Sequence, residues 1–125
     1  YTVYRGEPTL RLYERFAGKE LEIAELIQRR RLQVLVHSYI YYERNTNLVT
    51  DAVFDRWCAE LVKLHADYPE LSKQVPHHKD FAGWNGSTGA FLPYKDQSIV
   101  NIAERLLYKP TTNKVARKVA RGKLF

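Results

Sequence analysis

Residues 19 to 44 contain no glycine or proline, and this stretch constrains the fold more than any other feature. Its apolar residues recur at the helical period of 3.6 and form one stripe, made of Ile23, Leu26, Ile27, Val34 and Tyr41. In the second half, a further stripe falls on the opposite side: Leu32, Leu35, Val36 and Tyr39. The pattern predicts a long helix whose second half is packed between neighbours.

A second helix is predicted after the polar break "ERNTNL". Thr50 supplies a hydroxyl cap and Asp51 a carboxylate at the positive end of the helix dipole. The helix should run to about Asp67, with a core stripe of Phe54, Trp57, Cys58, Leu61, Leu64 and Tyr68. Because the connection is short, the two helices should form an antiparallel hairpin.

The remaining segments extend this hairpin on both sides. We expect one all-α domain over residues 1–125, with an arm at 1–19, the hairpin at 20–71, a long ordered loop at 72–96 and a C-terminal helix and basic tail at 97–125. In the loop, Phe81, Trp84 and Phe91 are expected to anchor into the core, and "GWNGSTG" is typical of turns. Asp96 is expected to cap the third helix, which ends near Tyr108.

The composition favours a packed domain in a reducing compartment. The chain has 125 residues, of which 45% are hydrophobic and 27% charged, and a single cysteine. That cysteine, Cys58, falls on the apolar stripe of the second helix, which predicts a buried thiol. No apolar run approaches the roughly 18 residues that a membrane span requires. We therefore expect an intracellular protein without a membrane partner.

The net charge of +6 is concentrated in the last 17 residues. If this segment is helical, a cationic strip results, made of Lys114, Arg117, Lys118 and Arg121. Such a strip could bind nucleic acid or an acidic protein, although with only six charges a solvated, solubilising end is the simpler interpretation. The arginines at 29–31 fan around the first helix and are expected to be solvated.

Aromatic rings and carboxylates are expected to meet at the turn of the hairpin. Tyr41 and Tyr42 end the first helix, while Asp51 and Asp55 lie one turn apart on the second, with Phe54 between them. Flat rings beside carboxylates suit a planar, cationic or amide-bearing ring. The alternative is that the aspartates only cap the helix and the tyrosines only pack. No cluster of histidine and cysteine predicts a zinc site.

Residues 37–71, "HSYIYYERNTNLVTDAVFDRWCAELVKLHADYPEL", resemble domain Ia of NAD-dependent DNA ligases without gaps. The family pattern is a tyrosine-rich helix end, a turn, D-x-x-Y-D, an E-L-x-x-L helix and "yPEL", and spacing extends the likeness upstream to about residue 27. In those ligases, domain Ia closes over the nicotinamide mononucleotide half of NAD. A separate adenylation domain binds the AMP half and provides the lysine nucleophile.

The resemblance implies that Tyr41, Asp51 and Asp55 correspond to the nicotinamide-site tyrosine and two aspartates. Tyr42 stands where the family has a histidine, and Phe54 where it has the tyrosine of D-x-x-Y-D. The implied cofactor is NAD or nicotinamide mononucleotide. The sequence lacks the K-x-D-G adenylation motif, so we expect binding rather than catalysis.

Three functional hypotheses follow. The chain is a binding module for the nicotinamide mononucleotide moiety, alone or as a partner in trans of a nucleotide-dependent enzyme. Alternatively, it is a protein-interaction or nucleic-acid-binding accessory factor, for example phage-encoded, that reuses the ligase scaffold. A third hypothesis is that it is one part of a larger ligase-like enzyme.

Overall fold

The computed structural model describes residues 12–87 and 89–108. Five α-helices occur there, α1 (Leu12–Arg15), α2 (Gly18–Glu43), α3 (Asp51–Asp67), α4 (Pro69–Ser72) and α5 (Gln97–Leu107), with a 3-10 turn at Lys79–Phe81. Since these residues include no strand, the predicted all-α class is confirmed. None of the described helices is both long and apolar enough to cross a bilayer. Most of the predicted arm and the basic tail lie outside the described residues.

Helices α2 and α3 form the predicted antiparallel hairpin. Arg30 of α2 pairs with Glu60 at 2.8 Å, whereas His37, further along α2, contacts the earlier residue Trp57 with ring centroids 5.3 Å apart. Later residues of α2 therefore contact earlier residues of α3, so the two helices run in opposite directions. The predicted cap of α3 is also present, because Thr50 Oγ1 accepts a hydrogen bond from the backbone N–H of Val53 at 3.2 Å.

The second half of α2 is buried on both sides, as its two apolar stripes predicted. Every residue from 33 to 38 is buried, because α3 packs on one side of this segment and α5 on another. From α3, Cys58, Leu61 and Leu64 enter the shared core, and from α5 Ile99 and Ala103 do so. Tyr68 was expected in this core but is 37% exposed, because it lies where α3 ends and the chain turns into α4.

Arg31 fastens the segment after α4 to the hairpin. Its guanidinium donates hydrogen bonds to the carbonyl oxygens of Ser72 at 3.1 Å, Val75 at 2.9 Å and Pro76 at 2.9 Å. It also contacts Nε2 of His65 at 3.0 to 3.2 Å. Burial lowers the pKa of Arg31 to about 10, so the side chain stays charged at neutral pH.

The expectation that the arginine run is solvated is wrong for Arg31, which is 1% exposed. Arg29 is exposed, as expected. The difference arises because only Arg31 faces the segment that follows α4, where backbone carbonyls in a non-repetitive conformation require donors. Helical periodicity identifies which side of α2 carries Arg31, but it cannot show that a distant loop presents acceptors there.

The aromatic residues of the long loop divide between core and surface. Phe81 is buried, and Trp84 packs edge-on against it with ring centroids 5.1 Å apart. Phe91, expected to enter the core, is 92% exposed. A turn closed by the N–H of Leu92 and the carbonyl of Gly89 directs Phe91 outward, and Leu92 is buried in its place.

The third predicted helix is present as α5, but Asp96 does not cap its backbone. The Asp96 carboxylate accepts a hydrogen bond from the hydroxyl of Ser98 instead. The first turn of α5 is closed by the backbone, since the N–H groups of Ile99 and Val100 donate to the carbonyl oxygen of Asp96, each at 2.9 Å.

Candidate functional site

A cleft lies at the end of the hairpin where α2 connects to α3. Its volume is about 200 Å³. Four parts of the chain line it: the last turns of α2, the connection to α3, the first turn of α3 and the glycine-rich loop. The lining residues are His37, Ser38, Tyr41, Tyr42, Asn47, Val49, Asp51, Phe54, Ser87 and Gly89.

Four of the five residues predicted for cofactor binding line this cleft: Tyr41, Tyr42, Asp51 and Phe54. Asp55 is exposed and is not among the described lining residues, so its role in binding stays a prediction.

Asp55 does affect the buried thiol of Cys58, which is 3% exposed. Burial, and secondarily the Asp55 carboxylate, raises the pKa of Cys58 to about 12. The thiol is therefore protonated and packed, as the sequence predicted.

Tyr41 and Tyr42 form the aromatic wall of the cleft, and a third tyrosine, Tyr94, supports it without lining the cleft. The rings of Tyr41 and Tyr42 meet edge to face with centroids 4.9 Å apart, and Tyr42 stacks on Tyr94 at 5.7 Å and 15°. Tyr94 belongs to the loop before α5, and sequence reasoning did not identify it as a supporting residue. Tyr41 remains 54% exposed, so one ring of this wall is available to a ligand.

An ionic cluster behind the wall fixes the end of α2 against α5. Glu104 of α5 accepts a hydrogen bond from the hydroxyl of Tyr39 at 2.7 Å and forms a salt bridge with Arg44. Hydrogen bonds from Arg44 and Tyr39 lower the pKa of the Glu104 carboxyl. The cluster explains how α5 supports a site that it does not line.

Asp51 provides the only acidic side chain among the described lining residues. The hydroxyl of Thr50 caps the helix, so the Asp51 carboxylate is not required for that purpose. No lysine or arginine belongs to the described lining. The cleft therefore combines aromatic rings with a carboxylate and favours a cationic ring over an anionic group.

The glycine-rich loop, expected only to turn the chain, also forms part of the cleft through Ser87 and Gly89. A Cβ at Gly89 would come within 1.9 Å of the Ser38 hydroxyl oxygen. At Gly86, φ is +86° and a Cβ would come within 2.8 Å of a methyl carbon of Val62. Glycine at these two positions lets the loop backbone lie directly on α2 and α3.

The floor of the cleft contains polar groups without partners. His37 is 4% exposed and Ser38 is 1% exposed. Neither ring nitrogen of His37 nor the hydroxyl of Ser38 has a hydrogen-bond partner in the described part of the chain. Leaving a buried polar group unpaired costs about 1 to 3 kcal/mol, and such groups are rare in folded proteins. Packing alone does not account for a histidine at this position.

Comparison with known proteins supports the resemblance seen in the sequence. Residues 20–75, just under half of the chain, match the DNA ligase-like, N-terminal NAD+-binding domain. The match covers α2 from residue 20 onward, all of α3 and α4, and extends beyond residues 27–71 at both ends. The hairpin thus resembles domain Ia of the DNA ligases, as the sequence predicted.

Similar curated proteins are DNA ligases. This chain is 40% identical over 50 residues to the DNA ligase of Methylococcus capsulatus and 38% identical over 50 residues to those of Thermotoga maritima and Thermotoga neapolitana. Each match covers 40% of this chain but only 7% of the ligase, so the chain spans a small part of these relatives. No solved structure matches the chain.

Proposed function

We propose that the cleft binds the nicotinamide mononucleotide moiety of NAD or a closely related nucleotide, and that the chain contributes recognition rather than catalysis. The observation that carries this proposal is the convergence of Tyr41, Tyr42, Asp51 and Phe54 on one cleft. The ligase resemblance assigned Tyr41 and Asp51 to the nicotinamide site, and Tyr42 and Phe54 stand at motif positions where the family has a histidine and a tyrosine. Catalytic groups would come from a nucleotide-dependent enzyme in trans or from other parts of a larger protein.

The chemistry of the cleft supports a nicotinamide ligand. The oxidised nicotinamide ring of a mononucleotide is a planar cation, which an aromatic face such as Tyr41 attracts. The Asp51 carboxylate adds a favourable charge and can accept a hydrogen bond from a ribose hydroxyl. Because no lysine or arginine belongs to the described lining, the phosphate should extend out of the cleft towards solvent or a partner.

The volume supports partial enclosure of the nucleotide. Sites that enclose a drug-sized ligand measure roughly 300 to 1,000 Å³. A cleft of about 200 Å³ accommodates an aromatic ring and part of its sugar, but not a dinucleotide. Affinity for the isolated ligand should therefore be weak, with a Kd on the order of 0.1 to 1 mM, or roughly 4 to 5.5 kcal/mol.

Calorimetry with Asp51→Asn tests this proposal. The substitution keeps a polar residue after the Thr50 cap but removes the charge that attracts the cationic ring. We expect nicotinamide mononucleotide binding to weaken about tenfold, the equivalent of about 1.4 kcal/mol. Asp67→Asn is the matched control, since Asp67 lies at the other end of α3 and pairs with Lys63 at 2.9 Å. No binding by the unmodified chain at millimolar ligand, or equal losses in both variants, would contradict the proposal.

A second candidate function rests on the charge distribution of the sequence. All six excess positive charges fall within residues 109–125, including Lys114, Arg117, Lys118 and Arg121. We propose that this segment gives nonspecific binding to nucleic acid, or otherwise to an acidic protein surface. Nucleic acid binding of this kind weakens by about 0.9 log unit per neutralised phosphate for each tenfold rise in salt.

Truncation after residue 110 tests the second candidate. We expect the full chain to bind a short DNA duplex at low salt, with an affinity that falls steeply as salt is added. The truncated chain should lose that binding, because the sequence before residue 109 carries equal numbers of acidic and basic side chains. Fluorescence anisotropy at several salt concentrations measures both. Equal binding by the two forms would remove nucleic acid as a partner of this segment.

A further inference from the structure

His37 lies directly below the aromatic wall of the cleft. It precedes Tyr41 by four residues on α2, so the two side chains occupy the same face of the helix, one turn apart. The His37 ring also packs against the ring of Trp57 on α3, with ring centroids 5.3 Å apart. A planar ring resting on Tyr41 would therefore have its inner edge towards His37 and the adjacent Ser38.

Three polar atoms at the floor of the cleft have no hydrogen-bond partner among the described residues. Both ring nitrogens of His37 and the Ser38 hydroxyl lack partners among the described residues, and all three atoms are shielded from water. Burial lowers the pKa of His37 to about 4, so the imidazole is neutral at pH 7. A neutral imidazole offers one N–H donor and one nitrogen acceptor, and the serine hydroxyl can serve in either role.

We propose that His37, together with Ser38, selects a ring that carries a carboxamide over one that carries a carboxylate. This inference rests on the proposed function, because it concerns the inner edge of a nicotinamide bound in the same cleft. A carboxamide has both an acceptor oxygen and an N–H donor, so its N–H can donate to an acceptor nitrogen of His37 while its oxygen accepts from the Ser38 hydroxyl. The ligase resemblance assigned no role to either floor residue.

A carboxylate is a poor match for the same floor. It has acceptors only, so it has no N–H to donate to an acceptor nitrogen of His37. Its charge would also lose hydration in a cleft whose one described acidic residue, Asp51, repels it. Sites built to pair a polar group reject analogues that lack the matching partner far more strongly than apolar sites do.

The test compares nicotinamide mononucleotide with nicotinic acid mononucleotide, which differ only in this group. Titrations followed by NMR measure each Kd for the unmodified chain and for His37→Leu. We expect the unmodified chain to bind the amide about tenfold more tightly than the acid. In His37→Leu that preference should fall below about threefold, while the amide still shifts the resonances of Tyr41.

The substitution is also expected to leave the fold intact, because leucine fills a buried site without an unpaired polar atom. Ser38→Ala gives a second variant, in which the preference should decrease but persist. Equal binding of amide and acid by the unmodified chain, or an undiminished preference in His37→Leu, would overturn this inference and leave the proposed function standing. Failure of both ligands to bind the unmodified chain would instead contradict the proposed function.

Discussion

Replacing Arg31 with methionine should lower the free energy of unfolding by about 3 to 5 kcal/mol, the range for breaking a buried charged network. Methionine has a similar length but no donors. The carbonyl oxygens of Ser72, Val75 and Pro76, which accept from the guanidinium at 2.9 to 3.1 Å, would lose these hydrogen bonds. Urea unfolding at neutral pH measures the loss.

The neighbouring arginine provides a matched control for this prediction. Arg29 lies on the same helix and is exposed, so Arg29→Met should change stability by less than about 0.5 kcal/mol. Hydrogen exchange should also distinguish the two variants. Amides of residues 72–81 should exchange faster in Arg31→Met, because the guanidinium is what ties this segment to α2. A stability loss below about 1 kcal/mol in Arg31→Met would contradict the assigned role.

Acidification should destabilise the protein through His37. Burial lowers the pKa of this imidazole from 6.5 to about 4. Between these two values the unfolded chain binds a proton that the folded chain does not, so stability falls as the pH decreases through this window. The contribution of His37 between pH 7 and pH 4 is about 3 kcal/mol, from 1.36 kcal/mol per pKa unit.

The comparison of wild type with His37→Leu isolates this contribution. All other titrating groups are shared, so their effects cancel in the difference between the two unfolding free energies. We expect the variant to be at least as stable at pH 7 and its advantage to widen by about 3 kcal/mol at pH 4. Urea unfolding at both pH values measures the gap. Parallel stability curves would show that the His37 ring is not buried as described.

Helices α2 and α3 could be predicted because they depend on interactions between residues that are near one another in the sequence. Helix α2 follows from its apolar stripes and from the lack of glycine and proline over residues 19–44, and α3 follows from the Thr50 cap. Each of these signals involves residues that are close together in the sequence. The four lining residues at the turn of the hairpin were predictable for a related reason. They lie close together in sequence, so the hairpin alone brings them to one place.

The features missed by sequence reasoning depend on contacts between distant segments. Tyr94 supports Tyr42 from 52 positions away, and Arg31 binds carbonyls that are more than 40 residues further along the chain. The outward position of Phe91 is set by the geometry of a turn, which apolar character does not determine. No periodic pattern encodes such contacts, because each requires the fold to be known first.

The burial of His37 was not predicted, although the sequence carries a signal for it. It lies in the half of α2 that the stripes predicted to be buried on both sides, and a polar residue in such a segment is a signal that could have been used. A buried polar residue needs a partner, and the absence of one in the described residues distinguishes this position from ordinary packing.

The central claim is that one cleft recognises a nicotinamide nucleotide, and an amide-resolved NMR titration with nicotinamide mononucleotide tests it most directly. We expect saturable shifts at millimolar ligand that concentrate at Tyr41, Asp51, Phe54 and Gly89. The exposed outer residues of α3, such as Lys63, serve as an internal reference and should shift little. An absence of saturable shifts, or shifts concentrated away from these lining residues, would contradict the claim.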